Sequence, residues 1–138
     1  MFFKNDIENK EIKKFIKIAA LLIHAAKIDE DYTIEEEEII KQTLIKIGAD
    51  GKDIENLIQK AKEIEENSNQ ILDFTRETKT MDEKDKIKII ETLWRIIYSN
   101  NDMDIFESNL MRRLAGLLYI DSKMMGDIKE KIKKENIR

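Results

Sequence analysis

No proline interrupts this chain, and only four glycines break stretches in which apolar residues recur at three- and four-residue steps. Proline removes a backbone donor and clashes with the preceding turn, and glycine costs about 1 kcal/mol inside a helix, so the usual helix breakers are scarce. From about Glu8 to Ile28, the residues Ile12, Phe15, Ile16, Ala19, Leu22, Ile23 and Ala26 make one apolar stripe, with Lys13, Lys14 and Lys17 opposite. Ile39, Ile40, Leu44 and Ile47 continue the period. So do Ile54, Leu57, Ile58, Ala61 and Ile64, then Ile71, Leu72 and Phe74 in a shorter piece. Ile87, Ile90, Leu93, Trp94 and Ile97 form the most apolar run, followed by Leu110, Met111, Leu114 and Leu118, and last by Met124, Met125, Ile128 and Ile132. No stretch sustains a period of two. The expected fold is all-α, a compact bundle of about seven helices.

Stop and start signals fall between these runs. Thr33 with Glu36 and Thr80 with Glu83 match the capping box, in which a hydroxyl and a glutamate satisfy the first free amides of a helix. Glu35 to Glu38 suit a helix N-terminus, where the macrodipole favours negative charge. Gly48 is a natural stop, Asp50 and Asp53 restart the chain, Asn67-Ser68-Asn69 breaks it, and Asp121 or Ser122 caps the last helix.

Two joints between helices are acidic: Asp29-Glu30-Asp31-Tyr32-Thr33-Ile34-Glu35-Glu36 and Asn100-Asn101-Asp102-Met103-Asp104-Ile105-Phe106-Glu107. Glu36 and Glu107 are 71 residues apart, and that offset also places Ile16 on Ile87, Leu22 on Leu93, Asp31 on Asp102, Ile40 on Met111 and Ile47 on Leu118. Apolar positions meet apolar positions on both sides of each joint, as two pseudo-repeated helix–loop–helix halves require. Residues 1–138 therefore read as one domain with halves at about 8–66 and 80–134.

Composition excludes several functions. The chain has no cysteine, so disulfides, thiolate catalysis and cysteine-ligated zinc are out. A net charge of −4 with interspersed signs argues against nucleic-acid binding. No uncharged run approaches the roughly 18 residues of a membrane span. Met1-Phe2-Phe3-Lys4-Asn5-Asp6 lacks the apolar segment of a signal peptide, so the expected location is cytoplasmic.

The joints are similar to those of the tellurite-resistance TerB family, whose pattern is an apolar helix ending in Ala-x-Ala-Asp-Gly, a short acidic loop and a glutamate opening the next helix, present twice. Here the units read Ala25-Ala26-Lys27-Ile28-Asp29-Glu30-Asp31 with Glu36, and Ile97-Tyr98-Ser99-Asn100-Asn101-Asp102 with Glu107. The resemblance covers roughly residues 10 to 132, and Glu107 to Ala115 looks particularly similar to stand-alone bacterial members. It implies a helical domain of stress responses, with a divalent metal held by the joint acids. The pattern's glycine is Glu30 in the first unit and Asn101 in the second, and its second aspartate is Asn100, a lost charge that weakens the second joint.

Asp29, Asp31 and Glu36, and more weakly Asp102 and Glu107, are thus the candidate metal ligands. Carboxylates of this kind suit calcium or magnesium better than zinc. The spacing is not an EF-hand, since the sixth-position glycine is missing and the twelfth position is Ile40. The same residues also serve as caps and Asx-turns, and the sequence leaves that alternative open. His24, the sole histidine, flanks the apolar stripe with no nucleophile to pair with. Trp94, Phe15 and Phe106 are expected in the core. Met111, Met124 and Met125 fill the core or offer an adaptable surface for a partner. Arg112, Arg113 and the basic residues from Lys129 to Arg138 read as a solvated face. No catalytic motif is present, which disfavours an enzyme. The expected function is a TerB-like interaction module with an unidentified protein partner. The rivals are a metal-free scaffold and, last, a metal-dependent hydrolase using Asp29, Asp31 and Glu36.

Overall fold

The computed structural model describes residues 2–27, 32–68, 72–99 and 105–136. Seven helices are present among them and no strand: α1 (Phe2–Ala26), α2 (Ile34–Lys46), α3 (Ile54–Asn67), α4 (Leu72–Lys79), α5 (Glu83–Ser99), α6 (Ile105–Leu117) and α7 (Ser122–Asn136). The chain is all-helical, as its period requires.

α1 is the hub, packing on α2, α3, α4 and α5, while α5 packs on α2 and α7. Between Ile18 and Ile23 every α1 residue is buried, and Ile89, Ile90, Leu93, Ile96 and Ile97 bury the matching length of α5. A helix buried on all sides needs apolar residues all round, which Ile18-Ala19-Ala20-Leu21-Leu22-Ile23 supplies. Ala19 and Ala20 are fully buried, where a small side chain takes little room between helices. Where α2 crosses α5, the hydroxyls of Thr43 and Thr92 meet inside the core, and each also lies within bonding distance of the carbonyl four residues back.

Helix boundaries follow the caps with two exceptions. α1 begins at Phe2, before the first apolar repeat, because Phe2 to Asn9 contains no breaker to delay it. Thr80 does not cap α5: the helix starts at Glu83, so the cap position falls on Asp82, whose carbonyl accepts from Asp85 and Lys86. At α7 the Asp121 carboxylate accepts from the Met124 amide at 2.7 Å, an N-cap as expected.

α2 and α6 each span 13 residues, and both start and end 71 residues apart. Their terminations match as well. Ala49 N–H donates to Leu44 C=O and Ile120 N–H to Ala115 C=O, both at 2.9 Å, and each closes over a residue of positive φ. The first is Gly48 at φ 120°, the second Tyr119 at φ 58°. The Lys86 ammonium donates to the Leu118 carbonyl at 3.1 Å and satisfies the end of α6. An exposed tyrosine in left-handed backbone carries strain of about 1 kcal/mol or more, offset in part by Lys79 above its ring. Tyr119→Gly should therefore raise the melting midpoint, by a gain of about 1 kcal/mol in stability. A fall in the midpoint would show that the ring contact outweighs the strain.

Candidate functional site

The first joint is held at both ends. At its start, Lys27 closes α1 and its ammonium donates to Glu65 Oε2 of α3 at 2.7 Å. His24, one turn earlier, places Nδ1 3.3 Å from Glu65 Oε1. Glu65 itself is only 8% exposed, so this carboxylate is fixed by its partners beneath the end of α1. At the joint's far end stands the expected capping box. Thr33 N–H donates to Glu36 Oε1 at 2.9 Å, and Glu36 N–H donates to Thr33 Oγ1 at 3.0 Å. Glu36 is 1% exposed, a carboxylate at the N-terminus of α2 where the helix dipole favours its charge.

Beside it, Tyr32 donates its hydroxyl to Glu37 Oε1 at 3.3 Å, and Lys62 reaches the same oxygen at 2.6 Å. Burial first, then the Glu37 charge, pushes the Tyr32 hydroxyl far above its ordinary value and keeps it a donor. For Glu37, burial works against ionisation. The Lys62 ammonium, with Lys41 and the Tyr32 hydroxyl, outweighs it and holds the carboxyl below the usual carboxylate range. A folded pKa below the unfolded one adds stability that is present above the ordinary value and lost as pH falls through the folded value. Wild type and Glu37→Gln should thus differ by about 0.5–1 kcal/mol at neutral pH and converge in acid beneath that range, as melts across pH would show.

Asp29, Asp31 and Asp102 lie outside the described residues. Glu107 sits in the first turn of α6, its side chain outside the described set. Only Glu36 of the five candidate ligands is therefore placed to the level of contacts. Among the described residues no group of three or more His, Asp or Glu side chains could hold a metal. His24 flanks the stripe, half-buried, as its register requires.

Lys27 and Glu65 form the pair that sequence reasoning missed. The signal was the stripe of α3: Ile54, Leu57, Ile58 and Ala61 are buried, and the next position on that face is Glu65 rather than Ile64, which is 40% exposed. A charged residue in an apolar register announces a buried partner.

Residues 15–130 match the family model described as "Tellurite resistance protein TerB". Comparison with curated proteins and with solved structures gives no match.

Proposed function

The chain belongs to the TerB family of tellurite resistance proteins, and we propose that it is a non-catalytic, cytoplasmic, stress-associated interaction module, ordered by a divalent cation at the first joint and acting on a protein partner. The observation that supports this reading is the bracketing of that joint, by Lys27 on Glu65 at one end and by the Thr33–Glu36 capping box at the other. With Lys27 and the Thr33–Glu36 turn already anchored, an ion that joins these flanks does not have to order them, which lowers the cost of binding.

The donor set fits a hard cation. Asp29, Asp31 and Glu36 would supply carboxylate oxygens, which suit calcium or magnesium rather than zinc. A bound cation would neutralise the acids and tie the end of α1 to the start of α2. The second joint, with Asp102 and Glu107 but Asn100 in place of an acid, would bind more weakly. Among the described residues no helix is long and apolar enough to cross a membrane.

One observation favours a metal-free scaffold instead: Glu36 Oε1 already accepts from the Thr33 amide, which gives this buried carboxylate a structural task. Backbone amide resonances separate the two readings. On adding calcium or magnesium to chelator-stripped protein, the Lys27, Tyr32 and Thr33 signals should move saturably, and should stay in place in Asp29→Asn/Asp31→Asn. Signals that do not move in wild type would select the metal-free scaffold.

A further inference from the structure

Set against each other at the 71-residue offset, the two halves differ in one place that a partner can use. In the first half, Ile23, Ile40, Leu44, Ile54 and Ile58 are all buried, and α1, α2 and α3 close over them. The equivalent positions in the second half are Trp94, Met111, Ala115, Met125 and Lys129. Trp94, Met111 and Met125 stay as buried as their counterparts, but leucine has become the half-buried Ala115 and isoleucine the half-buried Lys129, so two apolar side chains are withdrawn. A groove of about 210 Å³ opens there between α5, α6 and α7.

The charges have changed in step. In the first half, Lys41 of α2 is paired with Glu55 of α3 at 2.7 Å. The equivalent residues are Arg112 and Gly126. Arg112 is exposed and has no ion pair among the described residues, because its counter-charge is a glycine. A Cβ built on Gly126 would meet nothing within 4 Å, so the approach is open. Lys129 lies 5.4 Å from the centre of the Trp94 ring, a second cation on the groove. Both charged groups of the lining are therefore basic, on a chain of net charge −4.

We propose that this groove binds a partner protein through an acidic amphipathic helix. An aliphatic side chain of that helix settles over Ala115, against the rims of Trp94 and Met125, and a carboxylate from it pairs with Arg112 as Glu55 pairs with Lys41. The methionines suit this use, being flexible and polarizable. A nucleic acid is the poorer occupant, since two cations over an apolar floor offer few phosphate contacts. The inference rests on the interaction-module reading but is independent of the cation.

Trp94 is the only tryptophan, so its fluorescence reports the groove directly. The probes are a synthetic helix with glutamate and leucine on one face, its glutamine and lysine counterparts, and a single-stranded oligonucleotide. The acidic peptide should shift Trp94 emission saturably. Ala115→Leu, which restores the first half's filling, and Arg112→Gln should each weaken that binding about tenfold or more. Both variants should keep the wild-type circular dichroism, since Ala115 lines open space and Arg112 is exposed. Equal response to the lysine peptide or the oligonucleotide, or unchanged affinity in both variants, would overturn the proposal. A response to the glutamine or lysine peptide alone would overturn the acidic partner while leaving an interaction module standing. No response to any probe would overturn the groove, and the cation experiments would then judge the module reading by themselves.

Discussion

Leu22→Ala should destabilise the folded chain by about 3 kcal/mol. Leu22 is fully buried toward the C-terminal end of α1, the helix on which α2, α3, α4 and α5 all pack. Truncation removes three buried carbons and their transfer free energy. It also leaves a cavity that walls on several sides cannot close without separating elsewhere. Ala19, Ala20 and Ala26 on the same helix are buried as well, so the surroundings of Leu22 are packed and resist collapse. Urea unfolding should show a lower midpoint at an unchanged slope. A loss below about 1 kcal/mol would mean that α1 is not the centre of the packing.

The second large effect is expected from Lys27→Met, at about 2 kcal/mol. This substitution keeps the aliphatic stem and removes the charge that Glu65 faces at 2.7 Å. Glu65 is 8% exposed and would be left with His24 at 3.3 Å as its remaining neighbour in the pair network. A buried carboxylate without its cation loses far more than an exposed one, although Lys27 is 40% exposed and water screens part of the loss. Adding Glu65→Leu should recover most of the stability, because removing both partners abolishes the uncompensated charge. A double-mutant cycle by urea unfolding measures this. If Lys27→Met is neutral, the pair is an incidental surface contact and the first joint lacks its anchor at α1.

Much of the architecture is legible in the residues, for local reasons. The three- and four-residue period survives because no proline interrupts it, and the Thr33–Glu36 box and Gly48 mark ends through short-range hydrogen bonds and backbone freedom. Tyr119 is not legible as a helix stop. Tyrosine has no preference for left-handed backbone, and only the match to Gly48 at the 71-residue offset marks it. Thr80 misleads because a T-x-x-E pattern fixes spacing but not register, and α5 starts at Glu83.

The site is less legible. Glu36 is readable as a cap and also as a ligand, because both roles want a carboxylate at a helix N-terminus. Glu65 depends on Lys27, 38 residues away, a distance over which sequence spacing carries no register. The groove beside Trp94 is visible only once Ala115 and Gly126 are set against Leu44 and Glu55 in the folded first half.

The measurement that bears most directly on the cation-ordered module is a thermal melt of chelator-stripped protein with and without calcium or magnesium, run beside Asp29→Asn/Asp31→Asn and Asp102→Asn. A cation that binds only the folded chain stabilises it by about 1.4 kcal/mol at ten times its dissociation constant, which raises the midpoint by a few degrees. The expected result is a rise in wild type and in Asp102→Asn that disappears in Asp29→Asn/Asp31→Asn. An unchanged wild-type midpoint with either ion, or a rise that persists in the double variant, would contradict a cation site at the first joint.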